Sequence, residues 1–136
     1  MLFVFDENFS KRLAEGLDLL EKSNPASKIP VDVISAEKLM GRKGAEDTEI
    51  IITAGLNAVV ITKDKDFKQI KLYSKVIQSS GTKVLFVKQS SKLIFFWDIL
   101  IAMVTRWEEI KEKLSADNSA HVYEFDIRKG ISERHF

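Results

Sequence analysis

Val59-Val60-Ile61-Thr62-Lys63-Asp64-Lys65-Asp66-Phe67 reads as a buried strand whose apolar run ends in two closely spaced carboxylates, Asp64 and Asp66. A short, continuous, β-branched run is what a strand covered on both faces requires. The amino terminus repeats the arrangement, with Phe3-Val4-Phe5 leading into Asp6-Glu7-Asn8. If both strands run parallel in one sheet, their carboxyl ends share the edge at which open α/β sheets bind ligands. Carboxylates gathered there repel one another, and a hard divalent cation is the usual group that neutralises them. The pattern points first to a metal site.

Between and beyond these two strands the chain alternates. Asn8 is placed to cap a helix whose apolar positions Phe9, Leu13, Leu17 and Leu20 keep helical spacing, and which stops before Asn24-Pro25. A short strand over Val31 to Ser35, a brief helical or irregular piece around Leu39, and a Gly41-Arg42-Lys43-Gly44 loop follow. A helix is expected from near Asp47 through Ile50, Ile51 and Ala54 to Gly55, with Asn57 suited to a left-handed ending. After the central strand, a helix or turn near Phe67 to Tyr73 and a strand from Lys83 to Lys88 continue the alternation. Strands alternating with helices predict an α/β fold with a mostly parallel sheet flanked by helices.

The remainder is read as one long helix from about Ser91 to Leu114, since Leu93, Phe96, Leu100, Met103, Trp107, Ile110 and Leu114 recur at steps of three and four. Its first half is apolar nearly all round, through Phe95, Trp97, Ile99 and Ile101, which fits either ordinary burial or a second contact surface, and a homodimer is expected. Val122 to Ile127 alternates as a half-exposed strand, and the tail from Arg128 to Phe136 shows no recognisable structure.

At 136 residues and 45% hydrophobic, residues 1–136 are expected to form one domain with a real core. The absence of cysteine excludes thiolate zinc sites and disulfides, and is compatible with a reducing, cytoplasmic setting. A net charge of +1 means that nucleic-acid contact would rely on local patches. The start resembles a first strand rather than a leader peptide, and Leu93 to Val104 is too short to span a bilayer, so no membrane role is expected.

Three segments converge: Asp6-Glu7-Asn8 after the first strand, Gly44-Ala45-Glu46-Asp47-Thr48-Glu49-Ile50 opening a helix, and Thr62-Lys63-Asp64-Lys65-Asp66-Phe67. In this order and context they resemble the PIN-like nucleases, in particular a compact branch with a strand and Asp-Glu-Asn, then Gly-x-x-Asp-x-Glu-Ile, then Thr-x-Asp-x-Asp-Phe. The resemblance covers residues 1 to about 88. It implies a Rossmann-like sheet and Mg²⁺- or Mn²⁺-dependent cleavage of RNA, commonly by the VapC-type toxin of a toxin-antitoxin pair, with a cognate antitoxin as partner. By matched position, it implies Asp6, Asp47, Asp64 and Asp66 as catalytic metal-binding acids, supported by Glu7, Asn8, Thr62 and Lys63.

Each residue also has a plainer reading. Asp47 could cap a helix, and Asp64 and Asp66 could form a solvated turn. Asn8 could serve only as a cap, and Glu7 could orient a neighbour or face solvent. Thr62 could hydrogen-bond a ligand carboxylate or simply favour the strand. Lys11, Arg12, Arg42, Lys43, Lys63 and Lys65 could hold phosphates or form ordinary surface. Two other functions fit some of the same residues: a receiver-like phosphoacceptor module using Asp6, Glu7, Asp64 and Lys88, and a catalytically silent PIN-like binding module. His121 and His135 lack metal-ligand spacing.

Overall fold

The computed structural model describes residues 1–63, 67–88, 95–116 and 121–134. Its elements run β1 (Leu2–Phe5), α1 (Lys11–Lys22), β2 (Asp32–Ser35), α2 (Ala36–Met40), α3 (Asp47–Ala54), β3 (Val59–Lys63), α4 (Phe67–Ser80), β4 (Lys83–Val87), α5 (Phe96–Thr105), α6 (Trp107–Ser115), β5 (Val122–Asp126) and β6 (Gly130–Glu133). The sheet order is β2-β1-β3-β4-β5-β6, parallel through β5, with β6 antiparallel at the edge. This is a doubly wound α/β order, and it brings the carboxyl ends of β2, β1 and β3 side by side. Phe5 pairs with Ser35 on one flank and with Ile61 on the other.

Alternating strand residues feed two cores. Phe3, Phe5, Val59, Ile61, Leu85, Val87, Tyr123 and Phe125 face Leu13 and Leu17 of α1, Met103 of α5, and Trp107, Ile110 and Leu114 of α6. On the other face, Val4, Val60, Val84 and Phe86 pack with Ala36, Ile50, Ile51 and Ile77. Burial on both faces is why β1, β3 and β4 read as unbroken apolar runs. Each large side chain so buried contributes about 1.5–3 kcal/mol.

Four details depart from the sequence expectations. The cap of α1 is Ser10, whose hydroxyl accepts from Arg12 N–H, and Asn8 instead turns back to Asp6. Leu20 is 52% exposed rather than part of the core face. The long carboxy-terminal helix is two helices, broken at Arg106 (φ −109°, ψ 14°), and its expected start from Ser91 to Leu93 lies outside the described residues. At the break the Arg106 guanidinium donates to Arg128 O at 3.1 Å and pairs with Glu109 at 3.0 Å, fastening the joint to the β5–β6 hairpin. The tail, read as unstructured, forms β6. Asp126 Oδ1 accepts from the N–H groups of Arg128 and Lys129, and Gly130 sits at φ +82° where an added Cβ would strike Glu109. Asn57 does adopt the left-handed conformation (φ 64°).

One polar cluster is buried far from the carboxyl edge. Glu21 at the end of α1 accepts from Lys111 Nζ at 2.6 Å, Trp107 Nε1 at 3.1 Å and Ser27 Oγ at 2.9 Å, tying α1 and the following loop to α6. Burial alone would raise the Glu21 pKa, but those donors outweigh it and hold the carboxyl below its ordinary value. Among the described residues no helix is long and apolar enough to cross a membrane.

Candidate metal and active site

Asp6 is the first residue beyond β1, and its N–H still donates to Ile61 O at 2.9 Å, so the sheet ladder itself aims its side chain at the edge. The carboxylate is 3% exposed. Its Oδ1 accepts from Asn8 N–H at 3.0 Å, and its Oδ2 accepts from Asn8 Nδ2 at 3.1 Å and from the Thr62 hydroxyl. A carboxylate has about four lone-pair positions. The described donors take one on Oδ1 and two on Oδ2, which leaves Oδ1 able to face a further ligand.

Burial raises the pKa of Asp6 above its ordinary value; the hydrogen bonds from Thr62 and Asn8 oppose this, and the charge of Asp47 adds to it. Asp47 begins α3, but the cap position belongs to Glu46, which makes no side-chain cap hydrogen bond. In that first turn the Asp47 carboxylate also complements the positive end of the helix dipole. Asp47 and Thr62 border the same small apolar cavity with Tyr73 and Phe86. Its neighbourhood to Asp6 follows from the loop between α2 and α3, whose Gly44 N–H donates to Glu7 Oε1 at 2.7 Å. Glu7 thus ties the start of α3 to the end of β1. Gly41 and Gly44, at φ +72° and +80°, let the chain turn tightly enough to reach it.

Asp6 and Asp47 are brought together, with Asn8, Thr62 and Glu7 around them. Asp64 and Asp66 lie outside the described residues, as do Lys65 and His135. Among the described residues no group of three or more potential metal ligands assembles. The pair that is described suits a hard cation. Both ligands are carboxylate oxygens. Asp6 is buried with no cationic partner among the described residues, and the charge of Asp47 opposes its ionisation, a conflict that bound positive charge relieves.

Lys63, half-buried at the end of β3, lies 5.9 Å from the Phe9 ring centroid. Lys88 leans toward Asp126, at 3.8 Å, on the β5 side of the sheet and away from Asp6. The edge also holds a feature that sequence reading missed: a pocket of about 360 Å³ lined by Asp6, Glu7, Phe9, Lys11, Ser35, Glu37 and Lys43. Only the β2-β1 adjacency creates it, and no local signal carries that adjacency.

No curated protein and no solved structure matches the chain. A family profile described as a PIN-like domain matches residues 1–89, from β1 to just beyond β4. The matched stretch contains Asp6, Asp47, Asp64 and Asp66. PIN-like domains are typically metal-dependent nucleases. With well over half of its length inside the profile, this chain belongs to the PIN-like domain family.

Proposed function

We propose that this protein is a Mg²⁺- or Mn²⁺-dependent endoribonuclease, acting as one domain over residues 1–136, with Asp6, Asp47, Asp64 and Asp66 as its metal-binding acids. The observation that carries the reading is Asp6: a buried carboxylate at the ligand-binding edge of the sheet, its rotamer locked by Asn8 and Thr62, with a second acid raising its pKa. Bound divalent metal would supply polarisation of a phosphodiester and an activated water. The chain's own part is positional. Thr62 and Asn8 orient Asp6, Glu7 holds the loop that delivers Asp47, and Lys63 stands at the same edge for backbone phosphate.

The toxin role in a VapC-type toxin-antitoxin pair, in the cytoplasm, belongs to the same proposal. It is supported by a surface that a lone monomer does not need: Trp97, Ile101 and Val104 of α5 are 68%, 61% and 46% exposed, and Leu20 of α1 is also exposed. Such a strip suits a second copy or an antitoxin helix. The functional test is RNA cleavage by purified protein with Mg²⁺ or Mn²⁺ and with chelator, alongside Asp6→Asn, Asp47→Asn, Asp64→Asn and Asp66→Asn. Cleavage that survives chelation, or folded variants that all keep full activity, overturns the proposal. Uptake of phosphate from a small phosphodonor without RNA cleavage would return the receiver-like reading.

A further inference from the structure

We propose that the pocket between the ends of β1 and β2 is a nucleotide subsite, in which Lys11 and Lys43 hold the RNA phosphate adjacent to the one positioned for cleavage. The assignment rests on the nuclease reading only for which phosphate is meant. The pocket, at about 360 Å³, is within the range of about 300–1,000 Å³ that takes small ligands. Asp6 forms part of its wall, so whatever fills it abuts the carboxylate edge.

The two lysines are the reason to assign phosphate. Their neighbours Arg12 and Arg42 are already paired, with Glu15 and Glu49. Lys11 and Lys43 make no ion pair or side-chain hydrogen bond among the described residues, yet both line this pocket. They come from separate elements, the first residue of α1 and the loop between α2 and α3. That loop is fixed twice, by Gly44 N–H to Glu7 and by Arg42 to Glu49, so the backbone that carries the exposed Lys43 side chain is held beside the pocket. Asp6, Glu7 and Glu37 line the same pocket, so a phosphate there is held on the side of the two ammonium groups and away from the carboxylates.

The other lining residues narrow the ligand. Glu37 repels a second phosphate but accepts from a sugar hydroxyl or a base amino group, which favours one nucleotide over a polyphosphate. Phe9, 7% exposed, is a floor rather than a stacking platform. Contacts of this kind position the strand without reading its sequence.

The test is equilibrium binding of a short, labelled single-stranded oligoribonucleotide in chelator, so that no cleavage intervenes, as a function of salt. Removing the cation that holds one phosphate of a single strand lowers the magnitude of the log Kd versus log salt slope by about 0.7. Lys11→Gln with Lys43→Gln is expected to flatten the slope by about 1.4, the sum for two phosphates. Lys11→Arg with Lys43→Arg restores it. Lys28→Gln with Lys113→Gln, at the opposite, amino edge of the sheet, leaves it unchanged. An unchanged slope in the Lys11→Gln, Lys43→Gln protein overturns the subsite whether or not the protein cleaves RNA. Absence of RNA binding by the wild type overturns the subsite and the nuclease reading together. Lysine-dependent binding without cleavage under any metal keeps the subsite and removes the nuclease.

Discussion

Thr62→Val keeps the shape of the side chain and deletes the hydroxyl that donates to Asp6 Oδ2. Burial already holds the Asp6 carboxyl above its ordinary value. The native protein therefore binds more protons than the unfolded chain between the two pKa values. Stability falls as pH rises through that window, and the cost of ionised Asp6 is complete above it. Removing a donor to the charged form pushes the folded pKa higher and enlarges the cost. A hydrogen bond to a charged group contributes about 1.5–3 kcal/mol, one between neutral groups about 1 kcal/mol. The variant is thus expected to lose about 2 kcal/mol at pH values where the folded Asp6 is ionised, but only about 1 kcal/mol in acid where Asp6 is protonated in both proteins. Metal affinity should drop about 10–100-fold, as when a group orienting a ligand is lost. Urea melts across pH, each with chelator and with Mn²⁺, measure both effects. A cost independent of pH, together with an unaltered Mn²⁺ stabilisation, would refute the reasoning.

If Glu7 acts by holding Gly44, Glu7→Gln keeps an acceptor there and retains most cleavage, while Glu7→Ala lowers it at least tenfold; steady-state kinetics decide, and a glutamine variant as damaged as the alanine would make Glu7 a ligand instead. Lys111→Met leaves Glu21 buried without its cation and should cost about 3–5 kcal/mol, part of which Glu21→Leu in the same chain recovers. Because Glu21 lies below its ordinary value and Lys111 above its own, this loss should be constant through neutral pH, shrinking in acid as pH falls from the ordinary glutamate value through the folded Glu21 value, and in strong alkali. Trp97→Asp with Ile101→Asp should convert a sedimenting dimer to monomer and lower the melting temperature only to that of the diluted, monomeric wild type; a wild type that is monomeric at micromolar concentration and gains no stability from an antitoxin removes that interface.

Much of the fold was legible because strands buried on both faces announce themselves as apolar runs, as β1, β3 and β4 do. The break at Arg106 was invisible because Met103, Trp107, Ile110 and Leu114 keep helical spacing across it, and a single non-helical residue leaves the period intact. β6 was missed because Gly130 to Glu133 offers one large apolar residue, Ile131, and owes its shape to the Asp126 turn and Arg106. At the site, an acid ending an apolar strand marked Asp6 from sequence alone. The approach of Asp47 was not legible locally, since it depends on Glu7 reaching Gly44, 37 positions away.

The PIN-like profile stops at residue 89, yet Met103, Trp107, Ile110, Leu114, Tyr123 and Phe125 fill the same core as Phe3 and Phe5. Recognisable ancestry and the cooperative unit therefore differ in length. A fragment ending at residue 89 would carry every proposed acid but present β4 as a bare, flat edge over an uncovered apolar face, the arrangement that templates aggregation. Grafting the acidic half onto another carboxy-terminal half would succeed only if the incoming helices matched Phe3 and Phe5 in volume. The chemistry of the first half is thus hostage to a jigsaw fit made by the second.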